Sequence, residues 1–559
     1  MPPEIKYENK PWLAHYERGV PENIDYEQTT LPEFLENSAH KFPNRTALYC
    51  EGFKISYRQF ESMVNRFAAC LNSMGVQEKD RVAILLPNVI PCVVSYYATL
   101  NIGAIAVMCN PQNSDRELAF QFQDSAAAIL ITLDFMVDRM LALRPPTAIK
   151  QIIYTGAGDY LPLAKNLILL LSARMKSVAT RIQRTENVFH WKNILSQYSP
   201  NRRPTSALLD DVAMIQYTGG TTGVAKGVML THANLSCQAQ QIDAWFPQFA
   251  GKNETILGAL PFFHSFGLTC AMNNAIFAGW SNVLIPNPGP EKLLAAIRKY
   301  RPTFAPLVPS MYVDMLNHPN IQKTNLACIK GCFSGSAPLA LEVIKKFEGL
   351  TGAAISEGFG LTETSPITHA NPFNGVRKVG SVGLPFPDTD CRIVDLIDGN
   401  TDIPAGETGE LLIKGPQVMK GYWGNRSETA KTLKDGWLYT GDVARMDDNG
   451  YFYIVDRKKD MFISAGHHIF PREIDEVLYG HPKVQEACAI GIHHPTRGEQ
   501  PKAFVVLTAG ESATEDELIY YCKNRLDDYQ LPGKIEIRKQ LPKSSIGKIL
   551  RKALRDEER

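Results

Sequence analysis

The sequence predicts an α/β protein of more than one structural unit, and three observations carry that prediction. Helix-like and strand-like hydrophobic patterns alternate through the first ~450 residues. A chain of 559 residues at 44% hydrophobic composition buries more core than one small module holds. From Asp460 onward about 100 residues read as a compact α/β stretch of their own, a normal size for a small domain.

Taken in order, Arg58 to Met74 reads as a helix, Arg81 to Leu86 as a strand and Ala126 to Thr132 as another. Between the first two strands, Val89 to Cys109 (VIPCVVSYYATLNIGAIAVMC) holds no charged residue and is long enough to cross a bilayer. The soluble reading is preferred. Asn88 is placed to cap a helix entered at Pro91, Gly103 to end it, and Ala104 to Met108 to form a buried strand, with no basic cluster alongside. Around 156–203 the pattern loosens, and LPLAKNLILLLSARMKSVATRIQR sets Lys165, Arg174, Lys176, Arg181 and Arg184 on a leucine-rich background. Two readings stay open there: a basic amphipathic helix giving peripheral contact with a membrane through 161–185, and a helical insertion with a solvated basic face, which is preferred. Beyond the join near DRKKD, Pro471 to Tyr479 is a proline-started helix, and Val484 to Ile492 and Ala503 to Leu507 are strand-like. Thr514 with Glu517 has capping-box spacing ahead of a helix through Leu526. The absence of internal repeats and low-complexity tracts excludes a solenoid or a disordered tail.

Charge names no partner, because 59 Lys and Arg balance 58 Asp and Glu and leave no field to recruit nucleic acid. Eleven widely spaced cysteines without a C-x-x-C pair argue against a disulfide framework or thiolate metal site and fit a reducing cytoplasm. The N-terminal MPPEIKYENKPWLAHYERG lacks the apolar run of a secretory signal, and RKALRDEER carries no address, so neither end is expected to target the chain.

The strongest chemical signal is YTGGTTGVAKGVMLTH, Tyr217 to His232, where Thr218, Gly219, Gly220, Thr221, Thr222 and Gly223 precede Lys226. Glycines let backbone N–H groups converge on phosphate oxygens, hydroxyls add donors, and the lysine supplies charge near the terminal phosphates. It is not a Walker A loop, because Val224 and Ala225 precede Lys226 and Gly227 follows it.

This string resembles the phosphate-binding signature of the adenylate-forming superfamily of acyl-CoA synthetases, peptide-synthetase adenylation domains and luciferases. Further matches follow in order from about residue 30 to 555: FSGSAPL (Phe333 to Leu339), EGFGLTET (Glu357 to Thr364), WLYTGDVARMDDNGYFYIVDRKKD (Trp437 to Asp460) and PKSSIGKILR. Phrases such as KGPQVMKGYW and DRKKDMF are most similar to long-chain fatty acyl-CoA synthetases. The resemblance implies a large N-terminal AMP-binding domain, 1–458, of two α/β subdomains plus a β-barrel-like subdomain, and a small mobile α+β C-terminal domain, 459–559. It implies ATP, magnesium and coenzyme A as cofactors and a fatty acid as substrate.

Residue by residue, the resemblance makes Gly335, Ser336, Ala337 and Pro338, with Glu357, Gly358, Phe359 and Gly360, the adenine site, where Phe359 stacks on the base. Thr362 reaches the α-phosphate, and Glu363 and Thr218 serve magnesium as hard oxygen ligands. Asp442, Ile454 and Arg457 belong to the ribose segment; Asp442 accepts from two hydroxyls and Arg457 donates to the same sugar. Lys548 is expected to contact both carboxylate and α-phosphate, Lys459 to be the hinge, and Gly466 with its neighbours to serve thiol attack. His264 in PFFHSFG falls between the acid and the thiol route, so it is either a gating group or a packed core histidine. The catalytic set is thus Lys548, Thr218, Glu363 and His264. The pairs His467–His468 and His493–His494 lack the carboxylate or cysteine pattern of a metal site.

Three places depart from the long-chain pattern: Gln112–Asn113, His467–His468 and Gln530. None touches the ATP residues, but they put tunnel and coenzyme contacts in doubt. An amino-acid-activating, carrier-loading module is opposed by Phe263–His264 where that class carries Phe-Asp, and by the lack of a following carrier domain. A luciferase-like enzyme, a medium-chain or aromatic acid ligase, and a catalytically silent binding protein are the other rivals. Intact Lys226, Glu363, Asp442, Arg457 and Lys548 oppose the last.

Overall fold

The computed structural model describes residues 7–143, 147–156, 158–161, 186–201, 205–218, 225–464, 466–543 and 549–558; nearly all of the basic stretch 161–185 lies outside them. It divides into two compact units, one of His15–Thr389 with Lys414–Leu433, the other of Met1–Ala14, Asp390–Ile413 and Lys434–Arg559.

Two sheets build the larger unit. In the eight-stranded sheet the order is Gly421–Tyr422, Lys226–Thr231, Val212–Thr218, Ile105–Met108, Arg81–Leu85, Ile129–Leu133, Gln151–Thr155, Val188–His190. Lys226–Thr231 pairs antiparallel with both its neighbours, and from Val212–Thr218 onward all pairings are parallel. Parallel strands covered on both faces read as continuous apolar runs, which is why RVAIL and IAVM are strands without alternation. The nine-stranded sheet has six parallel strands in the order Ile355–Gly360, Gly331–Ser334, Phe304–Leu307, Thr255–Gly258, Ser281–Leu284, Thr46–Cys50. Chain connections run in opposite directions from Thr255–Gly258 and from its neighbour Phe304–Leu307. The carboxyl ends of the strands at such a reversal are the usual place for a ligand in an open α/β sheet.

The uncharged segment folds as a helix Ile90–Asn101, Gly103 at φ +68°, and a buried strand Ile105–Met108. Among the described residues no helix is long and apolar enough to cross a membrane. One detail differs from the sequence reading: the N-cap is Val89, not Asn88. Proline in the first turn lowers the need for a cap, and the Asn88 amide is used elsewhere. It donates to the carbonyls of Gly258 (3.0 Å) and Leu260 (2.7 Å) and accepts from Phe262 N–H (2.9 Å), clamping the turn that carries His264. The helix read at 58–74 spans Tyr57–Ser73 behind a Ser56/Gln59 capping box. The strand read from Ala126 begins at Ile129, because Ala126 closes the preceding helix in the left-handed conformation, φ +50°.

In the other unit Gly409–Lys414 and Phe452–Arg457 flank Trp437–Met446 antiparallel in a five-stranded sheet. A second five-stranded sheet pairs Val484–His494 with Gly498–Leu507 and buries Ile474, Leu478, Ala489, Val505 and Leu518 in one core. Its helices Pro471–Tyr479 and Glu515–Lys523 start at the proline and the Thr514 cap that the sequence predicts. Residue 459 lies in this unit, between the strands Phe452–Arg457 and Phe462–Ser464.

Candidate active site

Thr218 ends one strand and Lys226 opens its antiparallel neighbour, and the two are register partners. Of the residues between them, Gly219, Gly220, Thr221, Thr222 and Gly223 lie outside the described residues. Gly227 is required by packing, since a Cβ there would stand 2.9 Å from Ile215 Cγ2. The Lys226 ammonium is ion-paired with Glu428 and lies 5.0 Å from the centroid of the Tyr422 ring. Tyr422 in turn donates its hydroxyl to Glu363 Oε1 at 2.9 Å. Burial first, then the Glu363 charge, holds the Tyr422 phenol well above its ordinary pKa, so it stays a donor. Lysine, tyrosine and carboxylate therefore form one chain of contacts, with Glu363 fixed also through its carbonyl, which accepts from Met419 N–H at 2.8 Å.

Three loops from the nine-stranded sheet converge beside it. Phe266, two residues past His264, packs edge-on against Phe333 with centroids 5.6 Å apart, and a Cβ on Gly335 would lie 3.2 Å from its ring. Ser265 Oγ and Thr362 Oγ1 are 3.4 Å apart. Leu339 N–H donates to Glu357 Oε1 at 3.1 Å, tying the Gly335–Pro338 turn to the next strand. Ser336 in that turn holds φ +76°, a left-handed backbone rare for a residue with a side chain. Burial pushes the Glu357 carboxyl up to about 7, against the opposing pull of the Leu339 amide and Arg377. Gly358 and Gly360 have a packing reason: a Cβ on the first would meet Phe333 Cζ at 2.4 Å, and on the second the carbonyl oxygen of Pro366 at 1.7 Å. Phe359 faces the buried His369, ring centroids 6.0 Å apart.

His264 Nδ1 accepts from Phe266 N–H at 3.2 Å, which leaves the proton of the neutral ring on Nε2. A buried π-helical turn, Phe266–Asn273, follows directly. Such turns occur often at functional sites. Gln216, two residues before Thr218, donates to the Phe263 carbonyl at 2.5 Å and joins the phosphate hairpin's strand to the His264 loop. Sequence reading missed Gln216, Tyr422 and Glu428 and took Asn88 for a helix cap. Tyr422 stands inside the KGYW phrase used for the resemblance, while Gln216 and Glu428 carry no local pattern.

In the other unit Asp442 and Arg457 are cross-strand register partners, with Nε and Oδ1 2.5 Å apart and the aspartate buried. Ile454 pairs with Ala444 on the same two strands. Lys459 is exposed, and Gly466 turns at φ +84° with open space where a Cβ would sit. Two of the departures have partners of their own: His467 stacks on Tyr529 at 4.1 Å and 8°, and Gln530, next to that tyrosine, donates to Glu473 at 2.5 Å. Lys548 lies outside the described residues. Among the described residues no group of three or more His, Cys, Asp or Glu converges as a metal cage.

The AMP-binding enzyme family model matches residues 35–423, and the AMP-binding enzyme C-terminal domain matches 473–548. The chain belongs to the AMP-binding enzyme family. It is 42% identical over 552 residues to a long-chain-fatty-acid–CoA ligase of Bacillus subtilis strain 168, covering 98% of each chain. Among solved structures it is similar to ATP-bound MatB from Rhodopseudomonas palustris, with TM-score 0.83, 27% identity, and 95% and 99% of the two chains covered. It is also similar to the anthranilate CoA ligase AuaEII in complex with anthranoyl-AMP, with TM-score 0.81, 25% identity and 99% of each chain covered. The family model spans the hairpin, the three loops and the Tyr422 strand.

Proposed function

We propose that this chain activates a fatty acid with ATP and passes it to coenzyme A. The observation that carries the reading is the contact chain Lys226–Tyr422–Glu363 beside the Thr218 hairpin, a cation and a hard carboxylate set together at a glycine- and threonine-rich turn. In the first half-reaction a carboxylate oxygen attacks the α-phosphorus of ATP, the bond to the bridging oxygen breaks, and pyrophosphate leaves. In the second, the coenzyme A sulfur attacks the acyl carbon, the anhydride bond breaks, AMP leaves and the thiol proton is released. Two steps are needed because oxide is a poor leaving group and AMP a good one.

Lys226 holds charge on the departing phosphates, and Thr362 with Ser265 orients the α-phosphate. Lys548, brought by a mobile 459–559 segment, opposes the negative charge gathering as two anions meet. Asp442 and Arg457 serve the ribose hydroxyls, Ile454 the face beside them, and Gly466 the thiol half-reaction. Glu363 and Thr218 fit a magnesium ion, because a partly exposed carboxylate and a hydroxyl are the hard oxygen donors it takes together with substrate phosphates. When bound, that ion would neutralise phosphate charge. His264, at the reversal point of the nine-stranded sheet, gates the acid. The 42% identical relative supports a long-chain acid for this pocket.

A panel of acids from acetate to stearate plus benzoate, scored by AMP and coenzyme A consumption, tests the reading. Long-chain acids are expected to give the highest rates. ADP in place of AMP, or no turnover with any acid, would remove it. Presenting the long-chain acids in anionic vesicles and sedimenting them tests membrane contact through 161–185: protein left in the supernatant would remove that part alone.

A further inference from the structure

The ammonium of Lys226 already has an anion beside it. Glu428 sits on the short helix Arg426–Thr432, whose first turn is held by Asn425 accepting from Glu428 N–H at 3.1 Å. Its carboxylate makes both a hydrogen bond and an ion pair to Lys226, and that contact is the first cause holding the Glu428 carboxyl below its ordinary pKa. Both side chains remain partly open to solvent, 21% for Lys226 and 26% for Glu428. Lys226 is also the register partner of Thr218, so the pair stands beside the end of the Val212–Thr218 strand.

We propose that Glu428 is an internal stand-in for the nucleotide's terminal phosphates, occupying the Lys226 ammonium while the site is empty and giving it up to the β- and γ-phosphate oxygens or to pyrophosphate. This rests on the ATP reading above. A dianionic phosphate and a carboxylate cannot share one ammonium without like-charge repulsion, so phosphate binding has to displace Glu428. The displacement is easy because a partly exposed ion pair is weak. The carboxylate does two things: it holds the lysine in place in the absence of nucleotide, and it taxes the binding of pyrophosphate, easing that product's release. Tyr422, whose ring lies under the ammonium and whose hydroxyl holds Glu363, is the floor that stays when Glu428 leaves.

The test is calorimetric titration of the full-length protein with ATP, with pyrophosphate and with AMP, each with magnesium. Glu428→Gln should bind pyrophosphate about two- to fivefold more tightly than wild type, the factor an exposed pair corresponds to. AMP, which lacks the β- and γ-phosphates, should be unaffected, and the difference should shrink as salt screens the pair. Lys226→Ala should abolish the response to Glu428→Gln. Unchanged or weaker pyrophosphate binding by Glu428→Gln while wild type binds ATP would overturn the proposal alone, as would an equal change for AMP. Absence of ATP and pyrophosphate binding in wild type would overturn the nucleotide reading and this proposal with it.

Discussion

Lys226, Glu363 and Tyr422 illustrate what a single residue needs from its neighbours. A lysine at the mouth of a glycine-rich hairpin is legible from sequence, but its position over an aromatic ring and against a carboxylate 202 positions away is a product of folding. Asp442 and Arg457 are similar, since the sequence allowed an ordinary surface pair. The structure buries the aspartate and sets the arginine opposite it, so the carboxylate is oriented by its cross-strand partner. At this scale the sharpest prediction concerns Lys548. If it neutralises charge as carboxylate and α-phosphate meet, Lys548→Ala lowers adenylate formation by about 10²-fold or more, the cost of one transition-state donor. ATP–pyrophosphate exchange at near wild-type rate would show that the role belongs to another group.

Between residue and domain, the EGFGLTE strand shows why two glycines sit in a sheet that otherwise disfavours them. Gly358 and Gly360, where the strand pairs antiparallel with Ile367–Ala370, are pressed against Phe333, the His369 carbonyl and Pro366, so a Cβ at either would collide. Gly360→Ala must move backbone rather than a flexible side-chain end, so it should cost about 1–3 kcal/mol or more by overpacking. Gly349→Ala is the matched control, because Gly349 lies in the helix Leu341–Thr351 with open space around it and alanine is the better helix former there. Thermal unfolding should fall for the first and hold or rise for the second; equal melting temperatures would remove the packing argument. The same scale explains the Asn88 misreading. A helix cap and a loop clamp use one side chain identically in sequence, and what decides between them is the loop at 258–262 that folding brings alongside.

For the whole chain, the proposed pair of half-reactions has the 459–559 segment present Lys548 first and the Gly466 region afterwards, with Lys459, exposed between two strands, as the proposed hinge. Lys459→Pro fixes φ and should spare acyl-adenylate formation while impairing thioester formation. Pyrophosphate exchange and coenzyme A consumption measured side by side check this, and equal loss of both would move the hinge elsewhere.

Element order, the α/β class and the helix starts at Thr514 and Pro471 were determined by sequence alone, because each rests on local patterning and short-range chemistry, while the phosphate, adenine and ribose strings rested on resemblance. Tertiary structure decided what those strings touch. Gln216 joining Thr218's strand to the His264 loop, Asn88 clamping that loop, and Tyr422 and Glu428 flanking Lys226 are pairings between positions tens to hundreds of residues apart. No local pattern encodes such a pair, since its energy appears only after the sheets have formed and brought the two side chains within hydrogen-bonding distance.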